Sequence, residues 1–284
     1  MKNPIKILYI LSSGHSGSTL TDLILGSHSE IESGGEIDRL HDYISERPPG
    51  RGEIERVCTC KKNIKDCAYW EAVLSKIDSD KYNIGANIES EEIEVFEESN
   101  FKLIEAILEV SEKTIFCDSS KSYPRLVKFL KSNKFAVEII HLVRDPRAVA
   151  YSVRRKGLKL NDESYNFFNA LKNYKKVNSK WFSEFSGLDN YHLLKYENIV
   201  QDTEKEVKRL MQELGLNFEK DQFEFWKNEH HNIGGNRMRL QNHKSIRKDD
   251  EYLSNISFKD WYLASIKTFP QLKTFGYPIL KNMA

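Results

Sequence analysis

The sequence predicts an α/β protein of three layers, with a central parallel sheet flanked by helices. Two observations carry that prediction. Four short apolar runs, at residues 5–11, 114–117, 137–143 and 191–194, mostly lack the polar alternation of half-exposed strands, as strands covered on both faces do. Segments of helical period lie between these runs, so strand and helix patterns alternate along the chain, the order that builds a parallel sheet with helices on both sides.

The first run, Ile5-Lys6-Ile7-Leu8-Tyr9-Ile10-Leu11, leads into Ser12-Ser13-Gly14-His15-Ser16-Gly17-Ser18-Thr19-Leu20. This reads as a buried strand, a tight turn and a helix beginning near Ser18. Backbone N–H groups, hydroxyls and the helix dipole then converge on one spot, which suits a phosphate or sulfate. The phosphate loop of nucleotide hydrolases, G-x-x-x-x-G-K-[ST], has a lysine where this chain has Ser18. The turn therefore suits an anion but not the ordinary triphosphate. Residues 91–112 place Ile93, Phe96, Ile104, Ile107 and Leu108 on one helical stripe, and residues 164–185 do the same with Tyr165, Phe168, Leu171, Tyr174, Val177, Trp181 and Phe185. A helix over 203–215 has capping-box spacing at Thr203 and Glu206, an apolar face of Val207, Leu210, Met211 and Leu214, and Gly215 to end it.

Of 284 residues, 39% are hydrophobic and 30% charged, which fits a globular protein and argues against wholesale disorder. With 43 basic and 42 acidic residues, the net charge of +1 gives no support to general nucleic-acid binding. Any anion site must come from local clustering. No apolar run approaches the roughly 18 residues of a membrane span. The short N-terminal run lacks a cleavage pattern, so no signal peptide and a cytoplasmic location are expected. Without a repeat or a Pro/Gly/Ser linker, residues 1–284 are expected to form a single domain. Two stretches resist assignment: 38–70, with Pro48, Pro49, Gly50 and Gly52, and 228–257, rich in His, Asn, Gly, Arg and Lys. Irregular stretches of this length are usually functional loops or lids.

A second constellation runs His141-Leu142-Val143-Arg144-Asp145-Pro146-Arg147-Ala148-Val149-Ala150-Tyr151-Ser152. A strand ending near Val143, with Pro146 in the first turn of a helix, leaves Arg144 at the carboxyl end of the sheet, where open α/β folds bind ligands. Ser152 falls about two turns up that helix. Guanidinium and hydroxyl together suit a second phosphate; a surface pair of Arg144 with Asp145 is the plainer alternative.

Taken together, these segments resemble the sulfotransferases that use 3′-phosphoadenosine 5′-phosphosulfate (PAPS). Their first motif, a basic residue followed by Ser-Gly-Ser/Thr-Thr between a strand and a helix, is matched by His15-Ser16-Gly17-Ser18-Thr19. Their second, an Arg at a strand end with a Ser eight residues on, is matched by Arg144 and Ser152. Ser33-Gly34-Gly35-Glu36 is similar to the Gly-Glu element of the tyrosylprotein and bacterial branches, and Asp118-Ser119-Ser120-Lys121 to their Asp-x-x-Lys element. Lys195-Tyr196-Glu197-Asn198 resembles a Tyr-Glu-Asp segment near the adenine. Gly234-Gly235-Asn236-Arg237-Met238-Arg239 resembles a late Gly-Asn-x-x-Arg loop over the nucleotide. Cys58-x-Cys60 with Cys67-x-x-Trp70 also recurs in the bacterial branch.

The resemblance implies a P-loop-like form of the three-layer fold and PAPS as donor. His15, Ser16, Gly17, Ser18 and Thr19 would hold the 5′-phosphosulfate, and Arg144, Ser152, Arg239 and Arg237 the 3′-phosphate. Tyr196 packs on adenine or fills the core. Sulfuryl transfer resembles phosphoryl transfer, with a loose in-line transition state. It needs a base for the acceptor hydroxyl and donors for the sulfuryl oxygens and the departing phosphate. Glu36, 21 residues after His15, matches the base of the tyrosylprotein branch; a capping or surface glutamate is the alternative. His15 departs from the usual Lys or Arg and supplies an N–H, with charge only when protonated. Lys121 either supplies the missing charge or is a solvated lysine. The scheme requires no metal.

Cys58, Cys60 and Cys67 raise the question of zinc. Their one-residue pair spacing is tighter than the usual C-x₂₋₄-C and no fourth ligand is visible, so loop packing or a disulfide formed on oxidation is expected instead. Cys117 reads as a small hydrophobe at a strand end. The acceptor expected is a hydroxyl-bearing carbohydrate, lipid or small metabolite, with no nucleic acid and no membrane span. A nucleoside-phosphate kinase, or a nucleotide-binding protein without catalysis, is the alternative.

Overall fold

The computed structural model describes residues 3–45, 56–77, 81–242 and 244–281. Strands β1 (Ile5–Ser12), β2 (Ile31–Gly35), β3 (Ile115–Asp118), β4 (Phe135–Val143) and β5 (Tyr191–Lys195) form a parallel sheet in the order β2-β3-β1-β4-β5, flanked by helices. This is the α/β architecture expected, and four strands lie on the expected apolar runs. The fifth, β2, is not announced by hydrophobic pattern. Ile31-Glu32-Ser33-Gly34-Gly35 has one large apolar residue, yet every position is buried. Its polar groups find partners instead. Ser33 donates to the Asp22 carboxylate, Asn232 Nδ2 donates to Asp22 Oδ2 at 2.6 Å and to Ser33 Oγ at 2.8 Å, and Lys113 Nζ stands 3.1 Å from Glu32 Oε2.

Register explains what the strand ends present. Tyr9 of β1 and Gly35 of β2 both pair with Asp118 of β3, so β2 and β3 finish level while β1 runs three residues further, to Ser12. A bulge between Ser33 and Gly35 turns the chain at the end of β2. Gly35 has φ +73°, and a Cβ there would stand 2.2 Å from Ile233 O, so only glycine allows Ile233 to lie alongside.

The chain divides into two compact units. The first comprises Met1–Leu11, Ser18–Ile140 and Val207–Ser245. It holds β1, β2, β3, the helix α1 (Ser18–Gly26) and the helix Ile93–Ser111. The second comprises Ser12–Gly17, His141–Glu206 and Ile246–Ala284. Its helices Pro146–Leu160, Phe167–Phe185 and Phe258–Lys267 close on a core of Ala150, Phe167, Leu171, Trp261 and Ala264. In this second unit Asp145 caps the helix Pro146–Leu160 by accepting from Arg147 N at 2.8 Å. The same carboxylate takes the Arg147 guanidinium on both oxygens, at 2.9 and 2.6 Å. Asp145 therefore pairs with the buried Arg147, which lies over Trp261, and not with Arg144.

The helix Thr203–Glu213 buries the expected face, and the chain leaves it through Gly215 at φ +72°. Its cap differs from the expectation. Thr203 Oγ1 donates back to Ile199 O, while Asp202 Oδ1 accepts from Lys205 N at 3.2 Å, so Asp202 does the capping. Within 38–70 lie the short helix Leu40–Ile44, the turn Ile64–Asp66 and the start of the helix Ala68–Lys76. Pro48, Pro49, Gly50 and Gly52 fall outside the described residues. Within 228–257 lie the turn Arg237–Leu240 and the helix Glu251–Asn255. Among the described residues no helix is long and apolar enough to cross a membrane.

Candidate functional site

In the second unit, the loop after β1 meets the Arg144 segment as its residue types suggest. His15 Nδ1 lies 2.9 Å from Ser152 Oγ, and Arg144 Nη1 donates to His15 O at 3.1 Å. Ser16 Oγ lies 2.9 Å from Ser13 Oγ. The Arg144 guanidinium also stacks over the Tyr196 ring at 4.3 Å, and the edge of that ring packs on Gly17. A Cβ on Gly17 would stand 2.3 Å from Tyr196 Cδ2, and its φ is +96°. Glycine is thus required for Tyr196 to brace the loop, and the tyrosine is nearly wholly buried in doing so.

The charge around this loop is positive. Burial, followed by the charges of Lys156, Arg144 and Arg155, pushes His15 down to about 4, so its imidazole is neutral at neutral pH. Asp249 answers part of that charge, with Oδ2 3.2 Å from Arg144 Nη2 and 3.5 Å from Arg155 Nη2. Arg144 Nε and Ser12 Oγ are buried without a hydrogen-bond partner among the described residues. Cations crowded on a histidine, beside a buried donor left over, fit an anion.

In the first unit, Glu36 follows β2 and Lys121 follows β3. Their side chains meet at 2.5 Å between Oε1 and Nζ, and Lys121 Nζ also donates to Ser119 O at 3.0 Å. Burial pushes the Glu36 carboxyl up. The Lys121 charge and hydrogen bond, the Gly235 N–H and Arg39 outweigh it and hold the group below the usual carboxylate value. Glu36 is therefore ionised at neutral pH. Its backbone is fixed too, since Glu36 N donates to Ile233 O at 2.8 Å. Thr19 Oγ1 accepts from Asn236 N at 3.0 Å, which joins the start of α1 to the Gly234-Gly235-Asn236 loop; Ser18, the first residue of α1, is buried. Arg239 is turned inward, donating to Val57 O at 2.8 Å, whereas Arg237 is exposed.

Asp38 is a carboxyl that no motif flagged. Burial and the negative charges of Asp118, Glu36 and Glu89, offset in part by Arg125, push it up to about 7, and its Oδ1 has no hydrogen-bond partner among the described residues. The folded chain holds this proton more tightly than an unfolded chain with an ordinary carboxyl near 3.9. Stability should then fall as pH rises from about 4 through about 7. Asp38→Asn is expected to raise the thermal midpoint at pH 8 and to change it little at pH 4. An equal gain at both pH values would rule out titration as the cause.

Residues 8–220 match the model of the Sulfotransferase family, while no curated protein matches the sequence. Among solved structures, the chain is similar to the sulfotransferase domain of the Synechococcus PCC 7002 olefin synthase, at 20% identity and a TM-score of 0.63, over 98% of this chain and 97% of that one. The sulfotransferase domain from the curacin biosynthetic pathway aligns at 18% identity and a TM-score of 0.65, over 98% and 99%. Sulfotransferase STF9 from Mycobacterium avium aligns at 13% and 0.54, over 99% and 79%. At these identities the structural likeness speaks for the fold.

Proposed function

Because the chain belongs to the sulfotransferase family, we propose that it moves a sulfuryl group from PAPS to a hydroxyl of a carbohydrate, lipid or small-molecule acceptor. The observation that carries this reading is the meeting of His15, Ser152 and Arg144 on a loop surrounded by cations. Two motifs separated by more than a hundred residues come together there with an uncompensated donor. His15, Ser16, Gly17, Ser18 and Thr19 hold the phosphosulfate, and Arg144 and Ser152 the 3′-phosphate. Tyr196 braces the loop. Of the late arginines, Arg237 is the exposed one, while Arg239 holds the backbone of Val57.

The chemistry follows from the charges. The acceptor oxygen bonds to sulfur as the bond from sulfur to the phosphate oxygen breaks. The acceptor proton passes to the ionised Glu36, and 3′-phosphoadenosine 5′-phosphate (PAP) leaves. Lys121 offsets the charge on the sulfuryl oxygens, and His15 donates an N–H to the departing phosphate.

Calorimetry with PAP against ATP plus Mg²⁺ tests the donor. Equal or tighter binding of ATP would sink this reading in favour of a kinase. A finer test concerns Asp249, whose carboxylate occupies two guanidinium groups that an incoming phosphate would use. Asp249→Asn is expected to tighten PAP binding about threefold to tenfold, on the scale of a partly exposed ion pair. Unchanged or weaker binding would show that Asp249 does not compete with the anion.

A further inference from the structure

Three cysteines that the transfer chemistry leaves unused converge in the first unit with a histidine from a remote part of the chain. Cys58 and Cys60 lie on a tight turn, in which Lys61 N donates to Cys58 O at 2.8 Å and Cys58 N to Lys62 O at 2.9 Å. Cys67 is the N-cap of the helix Ala68–Lys76. His231 comes from 164 residues beyond Cys67. Its ring is stacked on Tyr69 at 4.5 Å with the planes 5° apart, and its Nε2 stands 3.5 Å from Glu229 Oε1. Sequence spacing offered no fourth ligand to the cysteines; the fold supplies one.

One donor atom from each of Cys58, Cys60, Cys67 and His231 lies within 4.8 Å of the other three. Cys67 Sγ is 3.6 Å from Cys60 Sγ and 3.8 Å from Cys58 Sγ. His231 Nδ1 is 3.4 Å from Cys67 Sγ and 3.6 Å from Cys58 Sγ. A tetrahedral zinc ion, with bonds of about 2.3 Å to sulfur and about 2.0–2.1 Å to nitrogen, sets its sulfurs roughly 3.8 Å apart and sulfur and nitrogen roughly 3.6 Å apart. The recorded separations are close to those edges. They are far from the roughly 2.05 Å of a disulfide, and all the cysteines are free. Packing of neutral thiols would not by itself aim an imidazole nitrogen at the sulfurs with a carboxylate behind the ring, the arrangement that orients metal-binding histidines.

We propose that Cys58, Cys60, Cys67 and His231 bind one zinc ion in a closed structural site. Three thiolates and a neutral imidazole fill all four positions, so no substrate reaches the metal and the transfer step does not use it. The ion ties the 56–67 segment to the 228–233 segment. That second segment continues into Ile233, which bonds Gly34 O through its N–H at 3.1 Å and receives Glu36 N. Zinc thus steadies the backbone on which Glu36 is mounted, whatever group the enzyme transfers.

The full chain, purified without chelator from zinc-supplemented culture, should carry about one zinc per chain by plasma mass spectrometry. Cys58→Ser and His231→Ala should each lower that content to about a tenth or less. Should these variants fail to fold, wild-type chain unfolded in chelator and refolded with Co²⁺ should develop thiolate charge-transfer and tetrahedral ligand-field bands that saturate at about one equivalent. A wild-type chain that holds no zinc and gives no cobalt bands would overturn the proposal. So would a Cys58→Ser chain that keeps its zinc.

Discussion

Glu36→Gln is expected to slow sulfuryl transfer by about 10²- to 10⁴-fold, the usual worth of a general base, while PAP affinity stays within about twofold. The amide preserves shape but accepts no proton. The carboxylate it replaces is ionised at neutral pH because Lys121, Gly235 and Arg39 outweigh its burial. Lys121 keeps its bond to Ser119 O in the variant, so its position should survive the loss of the ion pair. Transfer of radiolabelled sulfuryl from PAPS to a panel of hydroxyl acceptors, beside calorimetry with PAP, separates the two effects. Unchanged turnover would remove Glu36 from the base role, and Asp38 would become the next carboxyl to replace.

The second large effect is on binding. Arg144→Ala should weaken PAP by about 30- to 150-fold, equivalent to ~2–3 kcal/mol for a charge-assisted contact. Arg144 is almost fully buried and does three things at once: it holds His15 O, covers the Tyr196 ring and faces Asp249. Arg144→Lys keeps the charge but cannot make these contacts together, so its loss should be intermediate. PAP titrations that leave both variants at wild-type affinity would place the 3′-phosphate elsewhere.

What could be read from the sequence was what short-range pattern encodes. The apolar runs gave four strands: β3, most of β1 and the second half of β4 are buried on both faces, which leaves no room for polar alternation, while β5 is half-buried on one face yet still largely apolar. His15, Arg144 and Ser152 were legible because their spacing is tied to a strand end and a helix start. β2 escaped notice because its stability comes from Asp22 and Asn232, the latter 199 residues from Ser33. His231 escaped for the same reason, since nothing local to it resembles a ligand pattern. Thr203 looked like the cap of its helix, yet Asp202 next to it had the side chain whose oxygen reaches Lys205 N. Tyr196 could be read either as a surface for adenine or as filling; its contact with Gly17 is a fact of tertiary packing.

The backbone at two of the candidate residues has a consequence for protein engineering. His15 and Lys121, which follow β1 and β3, sit at φ 68° and 63°, where side chains with a Cβ are disfavoured. Left-handed backbone costs such a residue on the order of 1–2 kcal/mol, and Gly or Asn would relieve much of it. Selection for heat resistance alone should therefore enrich His15→Gly or His15→Asn, which sequencing a library sorted only for thermal survival would reveal, whereas Lys121 is also retained by its ion pair with the partly buried Glu36. The survivors would be sturdier and catalytically poor. Glu112, a left-handed helix cap at φ 56°, offers the same relief without that loss.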